Sequence, residues 1–243
     1  MVAMESAVPD LHWLEPEQLY FSVGHDCEID RPLFQGDIFT DTLLPVLPRR
    51  PPTAGIHEVE FVESVVMVVP HPCQCYHGDN LRKSITVAPV AQVLSYENFG
   101  ADRTGKKDAF ALPDLFAWRD GSDGVSYVAD FGRIVSIPSS YLSLKSRIAC
   151  LSHMGMGLLS KRFIAFQSRV PSRLGEVMAA TQHQWNEAFL MQAWVQKHGK
   201  LKGFSTWMRS EVMIPSINEL APVVPSDYVT SSTSELLQEI SAE

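Results

Sequence analysis

Residues 71–77 read His-Pro-Cys-Gln-Cys-Tyr-His and gather several nucleophilic and metal-ligating side chains into one short stretch. Zinc takes nitrogen and sulfur ligands at about 2.0–2.3 Å in a tetrahedron. Cys73, Cys75, His71 and His77 supply four such groups, so zinc is the cofactor that this stretch could hold. On an extended strand, side chains two residues apart share a face but stand about 6–7 Å from each other. A turn at Pro72 is therefore needed to draw them together, and His25 and Cys27 are further donors. The spacing is not that of paired CxxC motifs, and the simpler expectation is a packed strand end with structural cysteines. The same residues offer nucleophilic chemistry. Cys73 with His71 or His77 as base, and Asp37 as a further acid, form a candidate catalytic set for a nuclease or hydrolase. Asp37, Asp41 and Asp79 are candidate carboxylates for a divalent cation, but Asp37 after Gly36 is more simply a turn residue.

These residues need a scaffold. Val65–Val69 and Ile85–Val90 flank the septet, and short β-branched runs of this kind predict buried strands. The central pair is expected over 59–69 and 84–90, with a short helix over 91–98. Further strands are expected over 127–131 and 133–138. Residues 1–30 predict irregular structure with a short helix near 15–19. Gln35-Gly36-Asp37 predicts a turn into a first strand, and the prolines of 43–55 predict an extended loop. Beyond residue 145 the period becomes helical. One helix is expected over 145–169, interrupted at Met154-Gly155-Met156-Gly157. A second is expected from Pro171 to the Gly199 stop, with a basic, aromatic segment over 200–213 after it. Strands first and helices second is an α+β order.

Composition bounds the function classes. Apolar residues make up 45% and charged residues 20% of the 243, as in ordinary globular proteins. No run approaches the roughly 18 apolar residues that span a bilayer, and the opening residues lack the basic and apolar regions of a secretory signal. Four cysteines are too few for a disulfide scaffold. The expectation is a cytoplasmic or phage-associated protein with no membrane partner.

The net charge of −8 is segregated. Between Lys145 and Arg209 ten basic residues face only Glu176 and Glu187, so that segment carries +8 and the remainder −16. Arg147, Lys161, Arg162, Arg169, Lys200 and Lys202, with Trp207 as a stacking group, are candidate contacts to nucleic acid or to an acidic protein surface. Solvated basic helix faces account for the same pattern.

Gly36-Asp37-Ile38 opening a strand, a proline-containing loop, the apolar strand Val65–Val69 ending in a polar turn, and then Ile85-Thr86-Val87-Ala88-Pro89-Val90 resemble the MazF/PemK-like toxins over residues 34–92. The resemblance implies an SH3-like β-barrel core followed by a C-terminal helical region. The family's Arg-Pro before the first apolar strand is replaced here by Glu63-Ser64, and its hydroxyl after the second strand's proline by Val90-Ala91. A phosphodiester-cleaving site without a cation at the developing charge loses its main electrostatic stabilisation. The resemblance therefore carries the fold and not the toxin's catalytic residues.

The expected organisation is an N-terminal extension over 1–33, a β-rich barrel-like domain over 34–142, a helical region over 143–214 and a Ser/Thr/Pro-rich tail over 215–243. The expected function is a MazF-like barrel acting as a binding module for nucleic acid or protein in a toxin–antitoxin, defence or regulatory setting. The alternatives are an enzyme using the His71-Cys73-His77 turn, and a structural subunit of a larger assembly such as a phage particle, in which copies of the chain associate.

Overall fold

The computed structural model describes residues 13–24, 27, 31–46, 59–95, 108–119, 125–170 and 172–211. His25, most of the proline-rich loop, Pro171 and the 215–243 tail lie outside the described residues. The architecture is α+β: a large antiparallel sheet with helices, not closed into a barrel. None of the described helices is long and apolar enough to cross a membrane.

A short helix, α1 (Pro16–Leu19), leads directly into β1 (Tyr20–Val23). The centre of the sheet is β2 (Ile38–Pro45), β3 (Phe61–Val68) and β6 (Ser84–Val93). Between β3 and β6 lie one helical turn, α2 (Pro72–Cys75), and a small hairpin of β4 (Tyr76–His77) and β5 (Asn80–Leu81). Then come β7 (Ala109–Ala111), β8 (Ser126–Asp130), β9 (Val135–Pro138) and β10 (Arg147–Leu151). The strand order is β1-β10-β2-β3-β6-β8-β7. Val87 pairs with Val68 of β3 and with Val135 of β9, so those two strands occupy opposite edges of β6. β8 and β9 follow each other along one edge of β6, joined by a 3-10 turn at Phe131–Arg133.

Side chains alternate across a strand, and here both faces are covered. Ile38, Met67 and Ala88 join a core with the helices, while Phe39, Val66, Val68 and Val87 join a second core with Leu33, Cys75 and Ile137. Two buried faces explain why these strands read as continuous apolar runs.

Four expectations are corrected. Leu43–Pro45 extend β2, paired with Phe61–Glu63, in place of the start of the expected proline-containing loop. Arg147–Leu151 is a fully buried strand rather than the start of a helix, because Arg-Ile-Ala-Cys-Leu fills the space between β1 and β2. Residues 91–93 continue β6, held by pairing with β8, in place of the expected helix. The Met-Gly-Met-Gly stretch lies inside α3 (His153–Ser168) and does not interrupt it. Ser152 caps α3 by accepting from the Gly155 amide and donates to the Gln18 carbonyl, fastening the helix start to α1. A side chain at Gly155 would collide with the Leu19 carbonyl. By contrast, α4 (Leu174–His198) ends where expected, with Gly199 in the left-handed region at φ 68°. Residues 204–211 form α5 (Phe204–Glu211). Asp79, in the turn between β4 and β5, accepts from the Gly203 and Ser205 amides, both at 2.7 Å, and so anchors the start of α5.

Burial holds His153, on the first turn of α3, down at a pKa of about 4. A histidine whose folded pKa lies below its unfolded value of 6.5 takes up its proton more readily in the unfolded chain. Stability is therefore lost as pH falls from about 6.5 toward 4, by at most about 3 kcal/mol from this group. Urea unfolding at pH 7.5 and pH 5 checks this: His153→Gln is expected to lose less stability on acidification than the unsubstituted protein.

Candidate functional site

The septet divides at its turn. His71 caps α2, its Nδ1 accepting from the Cys73 amide at 3.4 Å and standing 3.3 Å from the Cys73 sulfur. The acceptor nitrogen therefore faces the thiol, as a general base would. Partial burial, then the Glu187 carboxylate on α4, raises the Cys73 pKa above the ordinary cysteine value. Cys73 therefore stays a thiol at neutral pH. Cys75 points the other way, fully buried in the second core, where loss of solvent pushes its pKa up to about 12. His77 is exposed on β4. The four expected zinc ligands are thus split between core and surface, and the described residues contain no cluster of three or more His, Cys, Asp or Glu able to hold a metal.

Asp37 stands apart from that turn. Gly36, at φ 81°, turns the chain against Leu151 and aims Asp37 inward, where it is fully buried. Its Oδ1 pairs with Arg31 at 3.3 Å, and its Oδ2 pairs with Arg147 at 3.4 Å and accepts from the Phe34 amide at 2.8 Å. Arg147 also donates to the Arg31 carbonyl through both terminal nitrogens at 3.2 Å, and to the Pro32 carbonyl at 3.4 Å. The guanidiniums lie over aromatic rings, Arg31 on Phe34 at 4.5 Å and Arg147 on Phe39 at 5.5 Å. This cluster ties the segment before β2 to β10.

A thiol pair adjoins it. The sulfurs of Cys27 and Cys150 are 3.4 Å apart and both residues are buried. The Ser22 hydroxyl donates to Cys27 at 3.6 Å. The hydrogen bond with Cys150 lowers the Cys27 pKa, helped by Ser22 and Arg147, while the same bond and burial raise that of Cys150.

The expected basic surface is largely interior. Arg147, Lys161, Arg162 and Trp207 are all buried, Trp207 within a ring cluster with Trp194 and Phe204. These four cannot present themselves to a phosphate backbone without rearrangement. Arg169 is exposed and pairs with Asp108 at 3.2 Å, and Lys200 and Lys202 are exposed.

A concave surface lies elsewhere. An open cleft of about 650 Å³ is lined by Pro16 and Glu17 of α1, all four residues of β1, and Asp114, Ala117 and Trp118. β10 holds one edge of β1, and among the described residues no strand occupies the other. Phe21 is 55% exposed. Trp118 packs against Gly24, where an added Cβ would meet the indole at 2.8 Å in a backbone already at φ 82°, and donates to the Leu115 carbonyl at 3.0 Å. Glu17 and Asp114 are exposed and put two carboxylates on the cleft's lining, while Arg31 approaches the Phe21 ring at 5.7 Å and Arg119 the Trp118 ring at 4.8 Å. The residues that build it carry no motif, and residues 1–30 read as mostly irregular. The only local signal is Gly24 directly after the Phe21–Val23 run.

No protein-family model matches this chain, no curated protein matches its sequence, and no solved structure matches its fold.

Two outcomes are expected. Asp37→Asn leaves two buried guanidiniums without their anion and should cost about 3–5 kcal/mol in urea unfolding; a loss under about 1 kcal/mol would contradict the role given to the cluster. Iodoacetamide labelling of Cys73, read by peptide mass, should be slow at neutral pH and still be accelerating as pH passes the usual cysteine range.

Proposed function

We propose that this protein is a binding module that takes an extended, basic peptide segment in the cleft beside β1. The observation that carries this reading is an edge strand whose four residues all line one open cleft, with Phe21 and Trp118 as apolar contacts and Glu17 and Asp114 as acids. Among the described residues β1 is the last strand of the sheet, and an edge of this kind offers backbone donors and acceptors to an added strand. Neighbouring pockets give such a partner its side-chain preference, and the two carboxylates favour cations. The cleft also lies in the part of the chain that carries the −16 excess. In this reading the run that resembles MazF/PemK-like, SH3-like barrels supplies β2, β3 and β6 as scaffold, and binding happens outside it.

A second reading rests on the 3.3 Å approach of His71 Nδ1 to the Cys73 sulfur, the arrangement of a thiol hydrolase. The raised Cys73 pKa weighs against it, because that thiol is not activated at neutral pH.

Calorimetry with Lys/Arg-containing, acidic and neutral extended peptides, and with single-stranded RNA, separates these partners. Basic peptides are expected to bind. Phe21→Ala should weaken them about tenfold or more, and Glu17→Lys with Asp114→Lys should weaken association most at low salt. RNA binding that is indifferent to Phe21→Ala would overturn the proposal in favour of a nucleic-acid module.

A further inference from the structure

We infer that Cys27 and Cys150 form a reversible oxidation site, a dithiol that a hydroperoxide converts to an intramolecular disulfide. The inference is independent of the peptide-binding reading.

The geometry is specific to this pair. Cys150 lies on β10 opposite Ser22 of β1, and Cys27 follows β1 closely enough to return its sulfur to within 3.4 Å of Cys150. A disulfide needs about 2.05 Å between sulfurs, so the two must close by about 1.4 Å. Cys73 and Cys75 lack this relation, since one is exposed and the other is buried against the Pro70 carbonyl.

The surroundings favour one sulfur as nucleophile. Arg31, Arg147 and Asp37 lie near enough to act electrostatically on the pair, two cationic groups against one anionic group. Ser22 and Cys150 both stand within hydrogen-bonding reach of the Cys27 sulfur. Cys27 retains 7% exposure while Cys150 has none, so a small oxidant meets Cys27 first. The lowered pKa of Cys27 and the raised pKa of Cys150 agree with that order.

The chemistry balances in two steps. The Cys27 thiolate attacks the terminal oxygen of the hydroperoxide. A sulfur–oxygen bond forms, the oxygen–oxygen bond breaks, and the alkoxide or hydroxide leaves and takes up a proton. The Cys150 sulfur then attacks the Cys27 sulfur. The disulfide bond forms, the sulfur–oxygen bond breaks, and the departing hydroxide leaves as water with the Cys150 proton. Two thiols lose two electrons in all, and the peroxide bond gains them. A dithiol reductant reverses the change by exchange.

The test uses full-length, fully reduced protein treated with equimolar hydrogen peroxide, then alkylated under denaturing conditions and mapped without reduction. The expected result is a monomer in which the Cys27 and Cys150 peptides are mostly linked to each other, with Cys73 and Cys75 alkylated. Dithiothreitol should return both linked cysteines to alkylatable thiols. In Cys150→Ser, Cys27 should stop at a sulfenic acid that dimedone traps; if that variant does not fold, the map of the unsubstituted protein decides alone. Complete alkylation of Cys27 and Cys150 while Cys73 is consumed would overturn the inference.

Discussion

A carboxylate taken fully out of water between two guanidiniums is the constraint on which this structure turns. Charges are costly to bury, and the cost is recovered only when each is matched in place. Asp37 receives Arg31 on one oxygen and Arg147 and the Phe34 amide on the other, and Arg147 spends further donors on the carbonyls of residues 31 and 32. The three side chains come from the irregular segment before β2, from the turn into β2, and from β10, more than a hundred residues later. Matching them fixes where β10 lies, and β10 in turn is the sheet partner that holds β1. Removing one partner of such a cluster strands a buried charge, which is costly even where a wholly apolar replacement would be tolerated.

The functional reading follows from that placement. β1 is short and has one strand neighbour among the described residues, so its position depends on β10 and on the Ser152 contacts with α1. With β1 set, Phe21, Glu17, Trp118 and Asp114 line one cleft together with the rest of the strand. Gly24 then lets the chain turn away closely enough for Trp118 to pack on it. The same placement puts Cys150 beside the residues that follow β1 and brings the two thiols together.

The interior of the sheet was legible in the sequence because burial on both faces leaves a plain mark. Val65–Val68 and Ile85–Val90 are strands whose positions are apolar apart from Thr86, and Gly199 ends its helix for a local reason. What misled was composition read without its neighbours. Arg147 began a segment that looked basic and helical, yet it is the charged end of a buried strand. Lys161 and Arg162 sit in a helix turned toward the core. A cation's role depends on a partner distant in sequence, and no local pattern carries that partner. The septet suffered similarly: four ligand types within seven residues suggested one site, but the turn at Pro72 sends Cys75 inward and leaves Cys73 outside. The cleft was invisible for the opposite reason, since an edge strand of four residues has too short a pattern to read.

Amide hydrogen exchange along residues 20–23 tests whether β1 accommodates an added strand. Exchange is compared with and without a saturating basic extended peptide, in the full-length protein. The peptide is expected to slow exchange in Tyr20–Val23 and around Trp118, and to leave residues 200–207 unchanged. Protection that appears over residues 200–207, with β1 unaffected, would contradict it and move the binding surface to the basic C-terminal helices.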